Sequence, residues 1–154
     1  MRVLQGGLVA GLAQDRIEQG SPVKFRATRY RIVSASSLCP ACGAWTQVVA
    51  LVVPAEGQET LDASLHYVEH IPESVQSRVR ALAPWYRLTA ESYWANHCEH
   101  CDTRQDEYEL HCEPGGAFMP APGSPAQAAL RLSAWDIPEP IAAIAGGVSH
   151  DPPF

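Results

Sequence analysis

The sequence predicts an α+β domain that is mainly β, and three observations carry that expectation. Proline (13) and glycine (11) together make up about one residue in six, above the roughly 12% of average usage. That favours short strands and many turns over a helical bundle. One run, AWTQVVALVVP at 44–54, is dense in β-branched residues and bounded by a proline, the signature of a buried strand. Two Cys-x-x-Cys pairs, Cys39/Cys42 and Cys98/Cys101, supply tight turns of the kind that pin β-elements together.

At 154 residues and 16.7 kDa the chain fits one domain with a real core. The expected organisation is an N-terminal arm over 1–22, a single domain over 23–145 and a flexible Gly/Pro tail over 146–154. A formal net charge of −6 speaks against a general nucleic-acid footprint, which needs a basic surface. Charge is uneven, however. Residues 1–31 hold six of the eleven basic side chains, and residues 99–113 hold six carboxylates against Arg104 alone. The simplest reading is two solvated faces. No run of about 18 apolar residues exists, so no membrane-spanning helix is expected. The opening MRVLQGGLVAGLAQD has one Arg and an apolar patch broken by Gly6, Gly7 and Gly11. That is a poor export signal, and a cytoplasmic protein is expected.

In chain order, KFRATRYRIVSAS (24–36) reads as a first β-like run, with Tyr30, Ile32 and Ser34 on one face and Arg29, Arg31 and Val33 on the other. It leads into Cys39, and the 44–54 strand follows. EGQETLDA (56–63) reads as a polar connection, and SLHYVEHIP (64–72) is ambiguous between strand and helical turn. Pro72 can open a helix in which Val75, Val79, Leu82 and Ala83 share a face until Pro84 stops it. WYRLTAESYWAN (85–96) is aromatic and extended, and delivers the chain to Cys98. DEYELHC (106–112) alternates like a strand and ends at Glu113-Pro114-Gly115-Gly116. AFMPAPGSPAQ (117–127) reads as loop, and AALRLSAWDI (128–137) as a last strand.

Each Cys-x-x-Cys sets two thiols on one turn, and two such turns complete a closed tetrahedral shell of the kind that holds zinc, with Zn–S near 2.3 Å. In CPACG, Pro40 sets the backbone after the first cysteine, and Gly43 permits the left-handed conformation after the second. In CEHCD that last place is taken by Asp102, and Asp tolerates the same region. The 55 residues between Cys42 and Cys98 exceed a minimal connection and must fold themselves. The expected architecture is therefore a zinc-ribbon-like core of two knuckles with a long folded insertion containing one helix. Two other chemistries fit less well. A redox dithiol opens a helix, whereas Gly43-Ala44-Trp45-Thr46 leads into a strand. A zinc deaminase needs His-x-Glu before a Pro-Cys-x-x-Cys, whereas His111-Cys112-Glu113 comes after both pairs, and neither pair has that proline.

Strand parity separates the remaining groups. Tyr108, Leu110 and Cys112 fall on one face, so Cys112 is expected in the core. Glu107, Glu109, His111 and Glu113 fall on the polar face, so His111 is expected in solvent or at a polar binding spot beside the Gly-Gly turn. His97 and His100 stand beside the second knuckle; four thiols already suffice. His66 and His70 would share a face if helical, but no third ligand is evident. Trp45, Trp85, Tyr86, Tyr93 and Trp94 are expected in the core or as a lid on the metal. Lys24, Arg26, Arg29 and Arg31 could meet phosphates.

LCPACGAWTQVVAL, LHYVEHIPESV, YWANHCEHCD and YELHCEPGGAFMP together resemble a family of uncharacterised bacterial zinc-ribbon-like proteins. Its pattern is Cys-x-x-Cys-Gly, then Asn-His-Cys-x-x-Cys, then Leu-His-x-Glu-Pro-Gly-Gly-x-Phe. The resemblance covers roughly residues 32–120. It implies Cys39, Cys42, Cys98 and Cys101 as the metal set, and a role for Asn96, His97, His111, Glu113, Gly115, Gly116 and Phe118. The chain departs from it at Asp102 and at Gln105, where glycines are expected. It implies no activity. The expected function is a binding or adaptor module for another protein, built on one structural zinc and not an enzyme. The alternatives are an enzyme using His111 and Glu113, and nucleic-acid binding through 24–31. The oligomeric state is not legible.

Overall fold

The β-branched run at the centre of the chain becomes the strand around which the rest is arranged. A computed structural model describes residues 22–55, 58–150, 152 and 154; of the expected N-terminal arm, all but Pro22 lies outside these. The elements are β1 (Val23–Ala27), β2 (Tyr30–Leu38), β3 (Trp45–Ala55), β4 (Gln58–His70), α1 (Glu73–Leu82), β5 (Tyr86–Leu88), β6 (Trp94–Asn96), α2 (Glu107–His111), α3 (Pro125–Leu132), β7 (Ala134–Ile137) and β8 (Ile141–His150). The strands form one antiparallel sheet in the order β1-β8-β4-β3-β2-β7, with β6 on β4 and β5 on β6. The mainly β, α+β class is the one expected.

β3 is covered on both faces. Val49, Leu51 and Val53 enter one core with Tyr30, Ile32, Leu65, Val75 and Val79, while Val48, Ala50 and Val52 enter a second with Val33, Leu110, Phe118 and Leu130. This explains why its sequence is continuously apolar instead of alternating. Each fully buried Val or Leu contributes about 1.5–3 kcal/mol, so β3 supplies part of both cores at once. The faces read for β2 hold: Tyr30 and Ile32 go to the first core and Val33 to the second. α1 lies where the pattern places it. Val75 and Val79 are buried one turn apart, and Ala83 caps the end through its N–H to the Val79 carbonyl.

Several expectations are corrected. The polar stretch 58–63 is not a connection but the first part of β4, whose Asp62, Ala63 and Ser64 pair with Pro54, Val53 and Val52. His66 therefore lies on a strand, not a helical face with His70. DEYELHC is a short helix, α2, capped by Asp106 Oδ1, which accepts from the Glu109 N–H at 3.0 Å. AFMPAPGS is loop, as expected, but Pro125-Ala126-Gln127 and AALRL form a helix, not loop and strand. Ser124 caps α3 by accepting from the Gln127 N–H, with Pro125 in its first turn, and only Ala134–Ile137 is strand. The expected tail also shortens, because β8 continues to His150, pairing Val148, Ser149 and His150 with Leu65, Ser64 and Ala63.

Candidate metal centre and its surroundings

The two cysteine turns are near copies of each other. The Cys39 N–H donates to the Ala44 carbonyl and the Gly43 N–H to the Cys39 carbonyl, both at 2.9 Å. The Cys98 N–H donates to the Thr103 carbonyl and the Asp102 N–H to the Cys98 carbonyl, again at 2.9 Å. The residue after each second cysteine is left-handed, with φ 76° at Gly43 and 66° at Asp102. An aspartate thus serves where a glycine is usual, and its carboxylate gains the Arg87 guanidinium at 2.7 Å, which holds it below its ordinary pKa.

The turns face each other with their sulfurs interleaved. Cys39 Sγ lies 3.7 Å from Cys101 Sγ, and Cys42 Sγ 3.7 Å from Cys98 Sγ. All four lie within 4.8 Å of one another. A disulfide needs about 2.05 Å, whereas a tetrahedral ion with sulfurs at 2.3 Å sets them about 3.8 Å apart. The cage fits a metal and not a bond. The first cysteine of each turn is buried and the second exposed.

The electrostatics agree. The Cys42 backbone N–H, then the Ala41 N–H and the Gln105 amide, pull the Cys39 thiol down to about 6 against the effect of burial. Burial raises Cys98, but the N–H groups of Cys101 and His100 bring it below its ordinary value. Cys42 feels the Ala44 N–H, yet burial and its three sulfur neighbours push it up to about 11. Four thiolates this close repel one another unless a cation sits among them.

The approach to the cage is sewn together by side chains. Asn96 is fully buried; its Oδ1 accepts from the Val49 N–H at 2.8 Å and its Nδ2 donates to the Val49 carbonyl at 3.0 Å. It thereby acts as a strand partner for β3 at the point where β4 has turned away. The Glu99 N–H donates to Thr46 Oγ1 and Glu99 Oε2 accepts from the Gln47 N–H. His100 Nε2 lies 3.1 Å from the Trp45 carbonyl. Gln105, the second departure from the family pattern, is buried, with Nε2 3.5 Å from Cys39 Sγ and 2.8 Å from the Thr103 carbonyl. His97 Nδ1 lies against the Ala95 and Trp85 carbonyls. Neither histidine joins the sulfurs.

His111 does not face outward. It is 2% exposed, as is Glu107, because a helix carries residues i and i+4 on one face, and that face of α2 turns towards β4. His111 stacks on Phe118 with ring centres 5.0 Å apart, tilts over His66 at 5.0 Å, and has Nδ1 3.4 Å from Ser64 Oγ and Nε2 3.5 Å from Glu107 Oε2. Glu107 Oε2 makes no hydrogen bond there. Glu107 Oε1 accepts from the Tyr67 N–H at 3.1 Å. Tyr67 has a φ of 53°, and around it Leu65 and Val68, three residues apart, enter the same core. The carboxylate thus caps an amide released by a break in the strand's alternation. His66 fills the space above Gly147, where a Cβ would come within 2.4 Å of Nδ1. Burial, with His111 adding to it, lowers His66 to about 3.

The residues drawn from the family pattern are not gathered at one surface. Asn96, His111 and Phe118 are buried, His97 is half-buried, and Glu113 is exposed, lining a groove that His111 does not reach. Cys112 is half-buried and outside the sulfur cluster, and burial raises its thiol. Trp94 and Tyr86 are core, as expected, but Trp45 is 67% exposed. Lys24 and Arg26 are exposed on β1. Arg29 and Arg31 border a hollow of about 520 Å³ with Asp62 and Asp136, and Arg31 pairs with Asp62 at 2.5 Å, so cations there are matched by carboxylates. Among the described residues no helix is long and apolar enough to cross a membrane. No protein-family model, curated protein or solved structure matches the chain. The four-cysteine cluster therefore stands on its own geometry.

Proposed function

We propose that Cys39, Cys42, Cys98 and Cys101 hold one structural zinc ion, and that the domain is a non-enzymatic, cytoplasmic binding module for another protein. The single observation behind this reading is the closed sulfur cage. With all four positions of a tetrahedral ion filled by protein, none is left for water or substrate, and such sites stabilise folds instead of performing reactions. The ion joins the β2–β3 turn to the segment after β6 across 55 residues, a long loop whose closure restricts the unfolded chain. Tetrahedral sulfur sites also suit iron, so metal identity is part of the test. Exposed Leu38 and Trp45, paired at the end of the β2–β3 hairpin beside the cage, support protein binding.

Elemental analysis of the purified protein is expected to give one zinc per chain. Chelator is expected to remove the zinc and the cooperative unfolding transition together. A zinc-free protein that keeps its thermal transition, or stoichiometric iron, would sink the zinc reading.

A further inference from the structure

We propose that the Ser34–Leu38 edge of β2 accepts an extended, lysine- or arginine-bearing segment of a partner protein as an added strand. The inference deepens the protein-binding reading and rests on it, but does not depend on which metal is held.

Three observations carry it. First, β7 covers β2 only from Tyr30 to Val33, with one further bond from the Ser34 N–H to the Ser133 carbonyl. Backbone groups alternate sides along a strand, so Ser36 and Leu38 point the same way as Ser34. Among the described residues their edge has no strand beside it, while β3 pairs the other side through Leu38. Second, this stretch opens into a groove of about 990 Å³. All five consecutive residues, Ser34 to Leu38, line it, as an edge does; a sheet face would contribute only alternate residues. Leu38 is 52% exposed, and the facing wall from α3 presents Ala126, Ala129 and Leu130, small and apolar enough for the side chains of a docked strand. Third, among the described residues the groove's charges are all of one sign: Asp106, Glu109 and Glu113 line it, and no described Lys, Arg or His does. An open edge gives affinity through main-chain hydrogen bonds, and the carboxylates select cationic side chains and repel acidic ones.

The test uses the full-length protein and a fluorescein-labelled heptapeptide alternating lysine and valine. Saturable binding that quenches Trp45 and weakens with salt is expected. A glutamate–valine peptide, and a lysine–valine peptide methylated on alternate amides, are each expected to bind at least about tenfold more weakly. E109K combined with E113K, with an unchanged thermal transition, is expected to reverse the charge preference. Hydrogen exchange is expected to be fast at the Ser36 and Leu38 amides of the free protein and protected with peptide. Equal affinity for acidic and basic peptides would overturn the proposal, as would slow exchange at both amides in the free protein, which would mean that the chain covers its own edge.

A photo-crosslinking residue at Ser37 and, in a separate protein, at Arg26 distinguishes this failure from that of the broader reading. Capture of a partner from Arg26 alone removes the groove and keeps the binding module; capture from neither removes both.

Discussion

Two clusters of potential ligands in this molecule resolve in opposite ways. At the ends of β2 and β6, four cysteines converge because each pair rides on a tight turn whose hydrogen bonds aim both sulfurs at one point. Under α2, His66, His111 and Glu107 are equally rich in ligand atoms, yet their rings stack and their carboxylate caps a strand amide. Residue type alone does not make a metal site. Backbone turns produce convergence, whereas a strand and a helix packed face to face produce stacking. One cluster calls for a cation; the other packs its imidazole rings against each other and against Phe118.

The largest expected effect comes from removing a buried sulfur. Cys98→Ser is expected to abolish metal binding and cost several kcal/mol of stability, read by metal content and thermal unfolding. Cys112→Ser, outside the cage, is expected to stay within about 1 kcal/mol. Similar losses would erase the distinction between the two cysteine classes.

Next come the contacts under α2. Glu107→Ala leaves the Tyr67 amide without its acceptor and is expected to cost about 1–3 kcal/mol. Gly147→Ala, which drives a methyl into the His66 ring, is expected to cost about as much. Both are expected to keep full metal content; loss of metal would mean the clusters are not independent.

The pH dependence is somewhat smaller. His66 has a folded pKa of about 3 against its ordinary 6.5, so below 6.5 the unfolded chain takes up the proton that the fold refuses. The contribution is complete above pH 6.5 and is lost as pH falls from there towards 3. Between pH 7 and pH 5 the wild type is expected to lose about 1–2 kcal/mol more than His66→Leu in urea unfolding. Equal slopes would show that the fold does not lower the pKa of His66.

Smallest is the test of the two knuckles against each other. Asp102→Gly is expected to change stability by less than about 0.5 kcal/mol, since glycine prefers the left-handed region and the exposed Arg87 pair is weak. Asp102→Val is expected to cost about 1–2 kcal/mol. A neutral valine would remove the left-handed requirement.

What the sequence revealed follows from how each signal is encoded. The cysteine turns, β3 and α1 are local: spacing, β-branched density and a proline-bounded period suffice to see them. The partner that β4 gives β3 through Asp62, Ala63 and Ser64 is not local, because a polar stretch becomes strand only when a neighbour offers its edge. The misreading of 106–112 has a specific cause. Over seven residues, alternation and helical spacing both fit, and the deciding cue was Asp106 followed three residues later by Glu109, a helix-start pattern. Taking the strand period sent His111 to solvent and Glu107 with it. Ser124-Pro125 was a comparable start signal, hidden in a proline-rich run. The open edge at Ser36–Leu38 left no signal, since it is defined by where β7 stops.

Burial of β3 on both faces has a consequence for the chain before it folds. WTQVVALVV carries no charge and no proline until Pro54, and a strand with no polar side has nothing to discourage pairing with copies of itself. Before the fold covers it, this segment is therefore a site for aggregation to nucleate. Pro54 bounds it on one side and the first cysteine turn on the other, so on the proposed metal-bound reading early capture of an ion would also shorten the time during which that sticky segment stands unshielded.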